Sequence, residues 1–395
     1  MRNSFLPFSA PTFGAEEVEG VVDTLRSDWI TTGPKTVAFE QALAKEVNAP
    51  AALALSSCTA ALHTALVAMG VGVGQTVATT PMTFCSTVHV IEHTGATPLL
   101  VDIEPDTLNL DPRQLVEAAN AADLRAVLPV HFAGQPCDMD PILDVAAQQG
   151  AAVVEDAAHA LPAAYRGRRV GEVANAAGVE RAVAFSFYAT KNITTAEGGM
   201  LTGTEELIDS ARIWSLHGMS KDAWRRYTDR GSWFYDVVEA GFKYNMTDIA
   251  AALGLGQLHR LGEFDRRRHD IAARYSEAFA GVAALEPPTA RADVHHAWHL
   301  YVLRLHLHEL SIDRNAFITE LQDRRIGVSV HFIPVHLHTY YRERYGWRPE
   351  DFPVAYEQYQ RMVSLPIYPS MTNQDVEDVI EAVTQVATAN RRRPY

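Results

Sequence analysis

Ala184-Phe185-Ser186-Phe187-Tyr188-Ala189-Thr190-Lys191-Asn192 is an apolar, strand-like run that ends in a hydroxyl and then delivers a lysine within five residues. Lysine is scarce in this chain: Lys35, Lys45, Lys191, Lys221 and Lys243 are the only five among 34 basic residues. Upstream, Ala152-Val153-Val154-Glu155-Asp156 is a second apolar run, and it closes on an acid. Working outward, β-rich runs recur at 77–80, 98–103, 126–132, 152–155, 182–187 and 200–202. Helical patterning fills 58–69, 86–93, 111–120 and 138–149. Asp111-Pro112 and Asp140-Pro141 read as a cap followed by a first-turn proline. Strands alternating with helices in this way predict an open, mostly parallel α/β sheet.

Past that region the texture changes. A long helix is expected over 247–280, broken near Gly262. It is followed by a strand over 299–307, a helix over 311–324 capped by Ser311, a strand over 328–333 and a final helix over 374–389. The expected organisation is a large α/β domain, 1–262, and a smaller α+β domain, 263–395.

Composition narrows the function. The 395 residues are 47% hydrophobic and carry a formal charge of -14, so the chain can bury a sizeable core. The negative balance argues against nucleic acid and anionic membrane as partners. Cys58, Cys85 and Cys137 are scattered and odd in number, which fits reduced thiols in the cytoplasm rather than a disulfide framework. The start lacks the apolar core of a signal peptide, and the apolar stretch 53–73 is broken by polar residues and glycines, so no membrane span is read. Arg391-Arg392-Arg393 reads as a solvated end.

Several motifs fall away on context. Gly70, Gly72 and Gly74 follow a helix and precede a strand, the reverse of a dinucleotide fingerprint. No phosphate-binding GxxxxGK[ST] loop and no GxSxG elbow occur. The histidines at 295, 296, 299, 331, 336 and 338 show neither HExxH nor a zinc-type Cys/His spacing, so no metal is expected.

What remains lies where the strands end. Pro81 to Phe84, His131, Asp156 with His159, and Ser186 to Lys191 each follow a strand. Ligands of open α/β sheets bind outside the carboxyl ends of the strands. Taken alone, Lys191 reads as easily as a solvated surface residue, and Asp156 as a helix cap. Together they are the minimum for pyridoxal phosphate (PLP) chemistry: an amine for a Schiff base and an acid for the pyridine nitrogen. Ser56-Ser57-Cys58-Thr59-Ala60-Ala61 offers hydroxyls and N–H groups for a phosphate as a helix begins, and Phe84 could stack on the ring.

GPKTVAFEQALA (33–44), SSCTAALHTAL (56–66), PMTFCST (81–87), VDIEPDTLNLD (101–111), VVEDAAHA (153–160), FSFYATKNITTAEGGM (185–200), GFKYNMTDIAAALGLGQL (241–258), HAWHLYV (296–302) and LPIYPSM (365–371) resemble the DegT/DnrJ/EryC1/StrS family. These are PLP-dependent nucleotide-sugar aminotransferases of the type I, aspartate-aminotransferase-like α/β fold. The resemblance runs from about Phe8 to Val386 and is nearest to the 4-aminotransferases of 4-keto sugars, of the UDP-4-amino-4-deoxy-L-arabinose kind.

The resemblance implies roles residue by residue. Lys191 matches the Schiff-base lysine, Asp156 the acid at the ring nitrogen, and His159 a residue near the phenolic oxygen. Phe84 takes the stacking position. Cys58, Thr59 and Ser186 fall at phosphate-binding positions; the family more often has Gly or Ala at Cys58, so its backbone N–H is the expected contact. Asn245 matches an asparagine that reaches the phosphate from the other subunit of a homodimer with shared active sites; the rival reading is a cap for the helix starting near Thr247. Thr31, Lys243, Tyr244 and His331 fall where the sugar nucleotide is expected. The implied reaction moves an amino group from L-glutamate, leaving 2-oxoglutarate, to the 4-keto group of a dTDP- or UDP-sugar. Related 3-aminotransferases, sugar 3-dehydratases and non-catalytic relatives are the alternatives; the dehydratases carry histidine where this chain has Lys191.

Overall fold

A computed structural model describes residues 2–173, 178–220 and 234–392. Among these residues thirteen strands are defined: β1 (Ala51–Leu55), β2 (Thr76–Thr79), β3 (Thr97–Leu100), β4 (Leu124–Leu128), β5 (Ala152–Asp156), β6 (Ala164–Tyr165), β7 (Arg168–Arg169), β8 (Arg181–Ser186), β9 (Gly199–Gly203), β10 (Leu285–Glu286), β11 (Val294–His295), β12 (Tyr301–Leu305) and β13 (Met362–Leu365). Seven form the main sheet in the order β1-β9-β8-β5-β4-β2-β3. The pairs from β8 to β3 are parallel, whereas β9 runs antiparallel to both β8 and β1. The mostly parallel sheet is therefore as expected, with one reversed strand near its edge.

The helices of this part are α1 (Ala15–Arg26), α2 (Pro34–Glu46), α3 (Cys58–Ala68), α4 (Ser86–His93), α5 (Pro112–Ala121), α6 (Met139–Gln149), α7 (Glu205–Ser215) and α8 (Asp248–His259). Helix α3 is apolar nearly all round, as a helix buried under a sheet must be. Ser57 starts it by accepting the Ala60 N–H. Asp111 caps α5 as expected. Asp140 does not cap α6: the helix begins a residue earlier, and Asp140 instead pairs with Arg166 and Arg168.

The expected long helix is two, α8 and α9 (Leu261–Phe279), broken at Arg260, so that Gly262 lies in the first turn of α9. The expected division at 262/263 falls in that same turn. Leu261 and Phe264 pack with the core beneath the main sheet. Ile271, Tyr275 and Phe279 pack with a second core around the antiparallel sheet β10-β12-β13. Leu6, from the N-terminus, belongs to the second core and bridges to Ile326. Helices α10 (Arg314–Asp323), α11 (Thr339–Tyr345), α12 (Pro353–Arg361) and α13 (Asn373–Ala389) complete this part.

Three further expectations change. Asp313, not Ser311, caps α10, because its carboxylate accepts the Ala316 N–H. Residues 328–333 form no strand beyond one bridge, Ser329 to Ser364; His331 and Phe332 leave the sheet to wall a cavity. Arg391 and Arg392 are not a free end, since both bond back to 309–310; Arg393 lies outside the described residues.

One long-range tie organises the N-terminal helices. Asp248, in the first turn of α8, is 1% exposed. Its carboxylate accepts the N–H groups of Gly33, Lys35 and Thr36 and the Thr36 hydroxyl, at 2.7–3.0 Å. It therefore supplies the N-terminal cap that the glycine before α2 cannot.

Candidate active site

A cavity of about 490 Å³ opens at the carboxyl ends of the parallel strands. Thr83 and Phe84 follow β2, Val130 follows β4, Asp156 ends β5 and Ser186 ends β8. Ser57, Cys58 and Thr59 come from the start of α3. Lys191 comes from the loop after β8, and Phe8, His299, His331 and Phe332 close the opposite wall.

Asp156 is buried at the end of its strand. Its Oδ2 accepts the Thr87 hydroxyl at 2.8 Å and its Oδ1 accepts the Ala158 N–H at 3.1 Å. Burial pushes its carboxyl above the usual value, against the pull of these bonds and of Lys191. Burial likewise brings the Lys191 ammonium down to about 8, although the nearby Asp156 favours its charged form. The Cys58 thiol lies 3.9 Å from Asp156 and 3.6 Å from the Ala184 carbonyl; burial, then Asp156, pushes it well up, so it stays protonated. Its side chain thus points inward, away from the helix terminus.

Opposite them, His159 Nδ1 accepts the Ala133 N–H at 3.2 Å, which leaves Nε2 as the protonated nitrogen. Burial, then the Lys191 charge, holds this ring neutral. Asn192 donates to the Leu161 and Ala297 carbonyls, so its own oxygen must accept from His299 Nδ1, 3.1 Å away. The His159 and His299 rings lie 4.4 Å apart. His331 bonds Ser364 at 2.9 Å and stacks on Phe8.

The start of α3 forms an anion cradle. Its first N–H groups have no partner within the helix, and the helix dipole favours negative charge there. Gly199, at the start of β9, makes the cradle possible: a Cβ there would strike the Ser57 carbonyl and the Cys58 nitrogen, and these backbone atoms cannot swing aside.

Of the residues singled out from sequence, Lys191, Asp156, Cys58, Thr59, Phe84, His159, Ser186 and His331 all line this cavity. Thr31, Lys243, Tyr244 and Asn245 do not. Instead, Asn245 donates to Thr32, the residue after Thr31, and accepts from Lys243 at 2.5–2.6 Å, and Tyr244 bonds His63. Asn245 does not cap α8 either; Thr247 does, by accepting the Ala250 N–H. His131 is not at the cavity but beneath it, bonded to Glu155. Sequence reasoning missed Thr87, which lies in the first turn of α4 just past the strand-end residues Pro81 to Phe84 and bonds Thr83 as well as Asp156. It also missed Phe8, Phe332 and the Asn192–His299 pair, for which no local signal exists.

A model of the DegT/DnrJ/EryC1/StrS aminotransferase family matches residues 11–384. The chain belongs to that family. It is 52% identical to the spore coat polysaccharide biosynthesis protein SpsC of Bacillus subtilis, over 98% of each chain. Among solved structures, the putative sugar aminotransferase Spr1654 of Streptococcus pneumoniae in its PMP form superposes with a TM-score of 0.89 at 37% identity, covering 97% of this chain and 99% of the other. DesV of S. venezuelae, described in complex with a ketimine intermediate, gives 0.84 at 30% identity, with 94% of each chain covered. Spr1654 is known in a PLP form as well. This DegT/DnrJ/EryC1/StrS chain is a sugar aminotransferase, its fold is that of the PLP-dependent enzymes, and its cofactor is PLP. The cavity fits that cofactor on its own chemistry, having an anion cradle at one end, a carboxylate raised by its burial, and a lysine lowered by its own.

The cradle generates a test. Gly199→Ala is expected to weaken PLP binding about 10-fold or more, by shifting the Ser57–Cys58 backbone of a charge-assisted phosphate site. Equilibrium dialysis, with unfolding followed in parallel, checks it; unchanged affinity would remove the cradle from the phosphate site.

Proposed function

We propose that this enzyme transfers the amino group of L-glutamate to the 4-keto carbon of a nucleotide-activated sugar, either a dTDP-4-keto-6-deoxyhexose or a UDP-4-keto-pentose, in amino-sugar biosynthesis. One observation carries the reading: Lys191 and Asp156 share one cavity with an anion cradle and an open, partly aromatic mouth. The choice of C4 and of glutamate rests on the sequence resemblance. The polysaccharide role in the name of the Bacillus subtilis relative is consistent with an amino-sugar product.

PLP, when bound, acts as an electron sink for a carbanion at the carbon being aminated or deaminated. Asp156 supports this by holding a negative charge, oriented by Thr87 and Ala158, toward the ring nitrogen. Ser186, Thr59 and the Cys58 N–H would hold the phosphate, and Phe84 would cover a ring face. Lys191, neutral above about pH 8, takes a proton from the donor's Cα and later delivers one to the sugar's C4. His159, kept neutral with its proton on Nε2, would donate to the phenolic oxygen of the bound cofactor. His331 faces the sugar nucleotide.

An amination assay over UDP- and dTDP-linked 4-keto and 3-keto sugars with glutamate, read by NMR, tests the reading. The expected product carries the amine at C4; a C3 product, or no product from any of them, overturns it.

The Lys191 assignment has its own readout. Because only the free amine is nucleophilic, acylation of Lys191 in cofactor-stripped protein, followed by peptide mass spectrometry, is expected to rise with a midpoint near pH 8. A midpoint near the ordinary lysine value, about 10.4, would mean a solvated lysine. Lys191→Ala is expected to fold and to lose turnover.

We further propose a cytoplasmic homodimer in which Asn245, Lys243, Tyr244 and Thr31 complete the partner's site. Their placement outside their own chain's cavity supports this. The three cysteines are unpaired, in keeping with a reducing compartment. No helix among the described residues is long and apolar enough to cross a membrane. Mixed and reassorted Lys191→Ala and Asn245→Ala chains are expected to regain activity by forming one intact composite site per heterodimer. Absence of recovery, with Asn245→Ala inactive alone, would place Asn245 in its own chain's site.

A further inference from the structure

Away from the cofactor cavity, Asp265, His269 and His295 converge where α9 passes β11. One ligand atom from each lies within 4.8 Å of the others. Asp265 and His269 are one helical turn apart and therefore share a face, while His295 arrives from another element. His295 Nε2 is 3.0 Å from Asp265 Oδ2, an ordinary hydrogen bond. The other half of the cluster is different. Asp265 Oδ1 and His269 Nε2 are both buried, face each other at 3.7 Å, and have no hydrogen-bond partner. That separation is too long for a hydrogen bond. It is close to the ligand-to-ligand distance of about 3.3 Å that a tetrahedral ion imposes when its bonds are near 2.0–2.1 Å.

We propose that Asp265, His269 and His295 form a three-ligand site for a divalent transition-metal ion of the zinc class, which ties α9 to β11. Two imidazoles and one carboxylate suit zinc and its neighbours, whereas magnesium and calcium take oxygen ligands. The Asp265 side chain is only 14% exposed, but His269 and His295 are 37% and 39% exposed. The ion therefore reaches the site from solvent, and water fills the fourth position. The two rings are stacked with centroids 4.7 Å apart, so small rotations bring both nitrogens to one ion. The His296 backbone hydrogen-bonds the His269 ring, the kind of outer contact that orients a metal-bound imidazole. None of the three residues lines the cofactor cavity. The site shares a segment with it nonetheless, because His295 lies four residues before His299.

The ligands are 30 residues apart in sequence, which is why no zinc spacing could be read. The triplet His295, His296 and His299 does not act as a ligand set, since His296 stacks on Trp298 and His299 bonds Asn192.

The test uses untagged, PLP-loaded enzyme freed of metal with a chelator and titrated calorimetrically with zinc chloride, with magnesium chloride as the control. Saturable zinc binding at one equivalent per chain, a rise in Tm with zinc and no response to magnesium are expected. Asp265→Asn preserves an acceptor for His295, and His295→Gln preserves a donor to Asp265. Each is expected to keep the visible cofactor band while binding zinc about 100-fold more weakly, and to lose the Tm response. Absence of saturable zinc binding by the wild-type protein, or binding by both variants within threefold of it, overturns the proposal.

Discussion

The cavity is organised around a carboxylate that water does not solvate. Asp156 ends the middle strand of the seven, and three other elements converge on it: Thr87 from α4, Cys58 from α3 and Lys191 from the loop after β8. Burying an acid is unfavourable unless its charge is matched. The two hydrogen bonds fix its orientation without neutralising it, so the position favours a cation in the cavity. The parallel sheet is what permits this, because β5 and β8 deliver their last residues, and β2 and β4 the residues that follow them, to the same rim.

The residue before it shows how finely a strand separates chemistries. Glu155 lies on the other face, as alternation along a strand requires. Burial pushes its carboxyl up, but Arg181 and His131 outweigh that and bring it to about 2. Glu155 is thus a permanently charged member of a closed network of Arg181 at 2.6 Å and His131 at 2.9 Å. His131 in turn accepts the Cys137 N–H and is anchored by its own N–H to the Asp156 carbonyl. Two adjacent acids are shifted in opposite directions: one is finished internally, and the other is left to bind something.

What could be read from sequence follows the range of the interactions. Alternating apolar runs and helix caps are local, so α3, α4, α5 and the final helix were legible nearly to the residue. Residues at strand ends were legible as a group because the fold class places them together, and eight of them do line one cavity. His131 was the exception, since a strand-end residue can turn under the sheet as readily as over it. β1 and β13 were missed: one was hidden in a long apolar stretch, and the other is short and paired only through distant partners. Residues 328–333 look like a strand by composition, yet their side chains are needed at the cavity wall. Phe8 reaches the site because the N-terminus crosses to the second core, and Phe332 because the chain leaves its bridge to β13 after Ser329, placements that no local pattern encodes.

The capping of α2 by Asp248 carries a consequence for how the chain is made. The donor and acceptor are 212 residues apart. During synthesis at about 5–20 residues per second, the start of α2 waits roughly 10–40 s before its cap leaves the ribosome. β1 likewise waits for β9, its antiparallel neighbour. Through that interval the faces of α1 and α2 that pack on α8 stay uncovered, and closure of so long a loop is slow. The nascent chain is therefore most open to chaperones, and to aggregation, before residue 248 emerges.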